Sequence, residues 1–158
     1  MTHTIHIAPV RKSILANVDA RRAFEVFTAG IDRWWPKSHS IASAPKQTVI
    51  EPFVGGRWFV RCEDGSEVIN GHVLVWEPGR RLLLSWEISA DWKPDSSVSS
   101  EVEVNFVTLT ARSTRVELEH RNLERLGPEG GEKMRNAVDG GWPMLLQLFV
   151  AEAQRAAG

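Results

Sequence analysis

Between residues 10 and 18, Val10, Lys12, Ile14, Ala16 and Val18 alternate with Arg11, Ser13, Leu15 and Asn17, the period-two pattern of a strand. Asp19 then occupies the N-cap position of a helical segment in which Ala23, Phe24 and Phe27 share one side. Gly30 ends that helix, and residues 31–36 read as a second short helical turn closed by Pro36. Residues 37–47 carry no period and are expected to form a loop. From residue 48 to 121 the pattern is that of strands. Trp58, Val60 and Cys62 alternate with Arg57, Phe59 and Arg61, and Asp64-Gly65 marks a hairpin. Segments 68–76 and 82–88 flank a Pro78-Gly79 turn, and residues 89–100 form a polar loop around Trp92. Val102, Val104 and Phe106 then face away from Glu101, Glu103 and Asn105, as do Val116, Leu118 and His120 from Glu117, Glu119 and Arg121.

After Gly131 the period becomes helical. Met134, Val138, Gly141, Leu145, Leu148 and Phe149 form one stripe, opposite Asn136, Asp139, Gln147 and Gln154. Pro143 is expected to kink or split this helix near Gly140-Gly141. The order predicts an α+β fold: a curved antiparallel sheet of about six or seven strands around a long C-terminal helix, with two short helices between the first two strands. Residues 1–158 read as one domain, with 1–9 as a flexible N-terminal extension.

The predicted inner face comprises Trp58, Val60, Cys62, His72, Leu74, Trp76, Leu84, Trp86, Phe106, Leu118 and His120. Such a list suits either a solid core or an apolar ligand cavity, and the pattern leaves both open. Trp34 and Trp35 beside the loop, with Trp142 and Leu145 on the last helix, would lie at one end. They either form the mouth of a cavity or pack the helical hairpin against that helix. His72 and His120 are expected to point inward, as acid–base groups, as hydrogen-bond partners of a ligand, or as structural histidines. No carboxylate shares their strand face, because Glu77, Glu117 and Glu119 point outward, so no triad is expected.

Composition narrows the function classes. Nineteen Lys and Arg against 20 Asp and Glu argue against a nucleic-acid partner and against a basic membrane-surface protein. Seven Trp, six Phe and no Tyr leave no phenol to donate in the interior, so polar recognition is assigned to the two histidines. Cys62, the lone cysteine, reads as a small buried hydrophobe. His3 and His6 have no third ligand nearby, and G-x-S-x-G, P-loop and G-x-G-x-x-G motifs are absent, so neither metal nor cofactor is expected. The start of the chain lacks the apolar run of a signal peptide, and residues 144–151 are too short to span a bilayer. A cytoplasmic protein without membrane insertion is the expectation.

Several motifs, in order, resemble one superfamily: Ala23-Phe-Glu-Val-Phe-Thr28, Ile31-Asp-Arg-Trp-Trp-Pro36, Glu51-Pro-Phe-Val-Gly-Gly-Arg-Trp58, Glu63-Asp-Gly-Ser66, Gly71-His-Val-Leu-Val-Trp-Glu-Pro78, Arg81-Leu-Leu-Leu-Ser-Trp86, Val116-Glu-Leu-Glu-His120 and Gly141-Trp142. The chain is similar to the SRPBCC (START-like, birch-pollen-allergen-like) proteins, in the branch of homologues of the heat-shock protein 90 ATPase activator. The resemblance implies a helix-grip fold whose cavity holds apolar molecules. Relatives often carry Tyr and Glu after Gly-Gly-Arg-Trp where this chain has Phe59 and Val60, which weakens any acid–base role for position 60.

The leading expectation is a module that binds a small apolar or amphipathic molecule. Its candidate ligand residues are Trp34, Trp35, Trp58, Cys62, His72, Trp86, Phe106, His120, Trp142 and Leu145. An aromatase/cyclase-like enzyme using a cavity histidine and a chaperone-contacting protein using Trp92, Trp34 or Trp35 are the alternatives. A homodimer through an edge strand or the last helix stays open.

Overall fold

The computed structural model describes residues 6–155. Seven antiparallel strands form one sheet: β1 (Val10–Ala16), β2 (Pro45–Ile50), β3 (Arg57–Cys62), β4 (Glu67–Glu77), β5 (Arg81–Trp86), β6 (Ser100–Thr110) and β7 (Ser113–Arg121). Their spatial order is β1-β7-β6-β5-β4-β3-β2, so each strand after β2 pairs with its sequence neighbour and β1 closes on β7. Two short helices, α1 (Ala20–Phe27) and α2 (Ile31–Trp34), fill the connection between β1 and β2. The long α3 (Pro128–Arg155) lies against the sheet and against α1 and α2. This is the expected helix-grip architecture.

Local chemistry sets these elements. Asp19 caps α1 by accepting from the Arg22 backbone N–H at 2.8 Å, leaving Ala23, Phe24, Val26 and Phe27 to bury. The hairpin turns sit on glycines with positive φ, Gly65 at 86° and Gly79 at 76°. One buried apolar cluster lies between sheet, α1, α2 and α3. On the other face of β3, Phe59 is buried beneath the Arg57 and Arg61 guanidinium groups, 4.2 and 5.5 Å from its ring centroid.

Several expectations need correction. The α3 helix is not split: it runs unbroken through Gly140 to Pro143. Its buried stripe holds Trp142 and Leu146 beside Met134, Val138, Leu145 and Phe149, whereas Leu148 is exposed. The first strand after α2 starts at Pro45, earlier than the pattern suggests.

The larger correction concerns β4. Its register shifts against β3 between Trp58 and Phe59, and against β5 between Val73 and Val75. Each bulge resets the two-residue alternation. Val73 therefore joins the core and Trp76 packs partly buried against it, while Leu74 is exposed and His72 lies on the sheet's outer face. His3 lies outside the described residues, as does most of the expected flexible extension. Within it, Ala8 is held by Arg135 Nε, which donates to its carbonyl at 2.8 Å. Among the described residues, no cluster of three or more His, Cys, Asp or Glu could hold a metal, and no helix is long and apolar enough to cross a membrane.

An aromatic candidate site between sheet and helix

Four indoles meet at the centre of the grip. Trp58 comes from β3 and Trp86 from β5, because both stand at inward strand positions. Trp35 directly follows α2, and Trp142 is set by the buried stripe of α3. Ring centroids lie 5.9 Å apart for Trp35–Trp58, 5.6 Å for Trp58–Trp86, 6.0 Å for Trp86–Trp142 and 5.8 Å for Trp142–Trp35. The contacts close into a circuit of tilted and edge-to-face pairs, the favoured geometries for aromatic rings. His120 of β7 lies against two of them, 4.8 Å from Trp86 and 6.3 Å from Trp142.

His120 is completely buried, and both ring nitrogens are engaged. The Trp142 indole N–H donates to Nδ1 at 3.3 Å, and Nε2 lies 3.0 Å from Ser100 Oγ. An indole nitrogen only donates, so Nδ1 must be the acceptor and Nε2 must carry the proton. The Ser100 hydroxyl is then free to donate to the Trp86 carbonyl at 3.5 Å. Burial lowers the His120 pKa from 6.5 to about 3, which keeps the ring neutral. A sealed, neutral and fully bonded imidazole is neither a general base nor a ligand's hydrogen-bond partner.

The indole N–H groups divide cleanly. Those of Trp34, Trp35 and Trp142 donate to Val26 O, His39 O and His120 Nδ1. Those of Trp58 and Trp86 are buried without an acceptor. Arg22 Nε and Nη2 and Asn70 Oδ1 are also buried without a partner.

A second aromatic group lies beside the first. Phe106 contacts Phe24 and Phe27 at 5.3 and 6.0 Å, Phe27 contacts Phe149 at 5.3 Å, and Trp34 packs on Phe27 and Phe149 at 5.1 and 5.5 Å. Trp34 therefore packs the helical hairpin onto α3, the second of the two expectations for it. Phe24 also meets Trp76 at 4.9 Å on the floor of an open groove of about 440 Å³, rimmed by Arg21, Glu25, Ile50 and Pro52. Cys62 and Leu145 are buried.

The expectation that His72 points inward is overturned. Its Nδ1 lies 2.7 Å from Glu87 Oε2, which also accepts from the Ser85 hydroxyl at 2.5 Å, and its side chain is 39% exposed. The expected lack of a carboxylate beside it fails too, since Glu87 supplies one. The hydroxyl donates to Glu87 and not to the imidazole, so no nucleophilic triad results. Two groups, Ser100 and Glu87, are absent from the expected site. Ser100 shares parity with Val102 and Val104 and is legible as inward. Glu87 shares parity with Ser85 and is not legible, since its link to His72 depends on the β4 bulges.

The family model described as activator of Hsp90 ATPase homolog 1-like protein matches residues 17–154. The chain belongs to this family. It is 39% identical to the solved structure of the anthrahydroquino-γ-pyrone synthase Txn09, covering 92% of this chain and 96% of that one, with a TM-score of 0.65. It is 28% identical to CalC, a self-sacrificing resistance protein of Micromonospora echinospora, covering 94% and 95%, with a TM-score of 0.69. An AHSA1-like protein of Aeromonas hydrophila, 18% identical with a TM-score of 0.60 over 93% of this chain and 94% of that one, shares the fold. None of the curated proteins matches the chain.

Proposed function

We propose that the protein binds a small, flat, apolar or amphipathic molecule between the sheet and α3, against Trp35, Trp58, Trp86 and Trp142. The carrying observation is the closed circuit of four indoles, two of which keep a buried N–H without a partner. Aromatic rings offer a large apolar contact area with little conformational freedom to lose. The similarity to a synthase named for a polycyclic aromatic product supports a ligand with fused rings.

A library of fused-ring aromatics, sterols and fatty acids tests this reading. A binder quenches the tryptophan fluorescence and raises Tm with concentration, as expected of a ligand that binds only the folded state. A library without a single member that does either contradicts the proposal.

The same synthase favours a second reading, in which the protein turns over such a molecule. Catalysis would rest on confining a reactive conformer, because His120 is sealed and His72 lies outside. Turnover would then survive His72→Ala. Its abolition with folding intact would contradict this form of the reading.

A further inference from the structure

The open groove of about 440 Å³ lies outside the indole circuit, between α1, the end of β2 and the β4–β5 turn. The edge-to-face pair of Phe24 and Trp76 forms its floor, and Ile50 and Pro52 form one wall. Its volume falls within the range of small-molecule sites. A stable protein partner would need some 20–30 residues on this side, far more than the groove provides.

Two opposite charges stand on the rim. Arg21 and Glu25 are both exposed and lie one helical turn apart on α1, at a spacing that brings side chains together. Among the described residues they pair neither with each other nor with another charge. Arginine before glutamate is the weaker of the two orders at this spacing. The charged groups of the facing turn, Glu77 and Arg80, are spent on each other at 2.6 Å.

The rim pair also works against its own helix. The first turn of α1 has no acidic residue and the last turn no basic one, so Arg21 and Glu25 both oppose the macrodipole. Stability does not account for such an arrangement, and local conflicts of this kind concentrate at functional sites.

We propose that this groove is a second ligand site, which takes a free aromatic α-amino acid as its zwitterion. The ring lies on Phe24 and Trp76, the carboxylate meets Arg21 and the ammonium meets Glu25. The two head charges of such a molecule sit on one carbon, and match in sign and closeness the two unpaired charges of the rim. A ligand with one head charge would satisfy one rim residue and face a like charge at the other. The ring adds the tilted aromatic contacts that the floor already shows. The site is separate from the indole circuit and does not depend on its being occupied.

The test uses L-phenylalanine, 3-phenylpropionate and 2-phenylethylamine, which share a ring and differ in head charge. Each is titrated into the ¹⁵N-labelled full chain, with the Trp76 side-chain N–H signal as reporter. L-Phenylalanine is expected to bind at least about threefold more tightly than either analogue, the scale of one exposed ion pair. Glu25→Gln should weaken phenylalanine about threefold and leave 3-phenylpropionate no weaker. Arg21→Gln should weaken phenylalanine by the same factor and leave 2-phenylethylamine no weaker. Tm without ligand should not fall in either variant, because each removes a charge opposed to the dipole. Equal affinities for the three probes, or a phenylalanine affinity unchanged in both variants, would overturn the proposal. So would a Trp76 signal that none of the probes moves, or one that moves with protein concentration alone, which would give the groove to a second copy. Each of these outcomes leaves the reading of the indole circuit standing.

Discussion

The indole N–H of Trp142 on α3 donates to Nδ1 of His120 on β7 at 3.3 Å, and so ties the long helix to the sheet through a neutral imidazole. Protonation of that ring would put a charge in a dry site and convert the acceptor at Nδ1 into a donor facing a donor. The folded protein therefore resists protonation there: burial takes the His120 pKa from the ordinary histidine value of 6.5 down to about 3.

The sign of the pH dependence follows. Below pH 6.5 the unfolded chain takes up a proton at His120 that the folded chain refuses, so stability falls as pH falls. The expected slope is about 1.4 kcal/mol per pH unit as pH drops from about 6 toward the folded value. The carboxyls of Glu51, Glu103 and Asp139 are lowered, chiefly by Arg57 for Glu51 and by Lys12 for Asp139. Burial opposes the shift at Glu103, where hydrogen bonds from Arg121 and Arg81 prevail. Their stabilisation is lost only at lower pH, as each titrates below the ordinary carboxylate range. Urea melts between about pH 7.5 and pH 5 should show the slope, and His120→Gln, which cannot titrate, should remove it.

Gly71 is a close-approach position. A Cβ there would collide with the Ser85 carbonyl oxygen, a backbone atom that cannot rotate away. Gly71→Ala must force β4 off β5 at the point where Trp86 is presented. Loss of the cooperative melt, or a fall in Tm of more than about 10 °C, is expected. A Tm within about 2 °C of the parent would contradict the packing described.

Gly140 and Gly141 differ in kind. A Cβ at either meets nothing within 4 Å, and both stand inside α3. Alanine has the higher helix propensity, so Gly140→Ala and Gly141→Ala should each stabilise by up to about 1 kcal/mol. Equilibrium denaturation measures this directly.

Glu87 is buried and accepts from both Ser85 and His72. Glu87→Ala should cost about 1–3 kcal/mol, because it takes the carboxylate from His72 and leaves the Ser85 hydroxyl only the His72 carbonyl at 3.4 Å, and Glu87→Gln, which keeps an acceptor, should cost less. Equal losses in thermal melts would mean that the shared carboxylate is not what holds β4 and β5 together here.

The fold is legible in the sequence because its signals are local and repeated. Alternation in β6 and β7, the Asp19 cap and the Met134–Phe149 stripe each follow from a short window of residues, and the motifs set their order. Trp58, Trp86, Trp142 and His120 come together for the same reason. His72 and Leu74 escape this logic because two bulges interrupt the β4 period, and a bulge leaves no mark on a pattern of apolar residues. Residue types alone point to the histidines for polar recognition, since a sequence does not show which donors are already spent. His120 is spent on Trp142 and Ser100, whereas the unspent donors belong to two tryptophans that the pattern marks only as wall.

Occupation of the indole circuit by a small molecule is tested most directly by the seven tryptophan side-chain N–H signals of a ¹⁵N-labelled sample. On titration with 9,10-anthraquinone, the signals of Trp35, Trp58, Trp86 and Trp142 should shift together. Trp92, 42% exposed on the loop between β5 and β6, should stay in place. Shifts confined to Trp92, or at Trp76 in the open groove with the four indoles unmoved, would contradict the account.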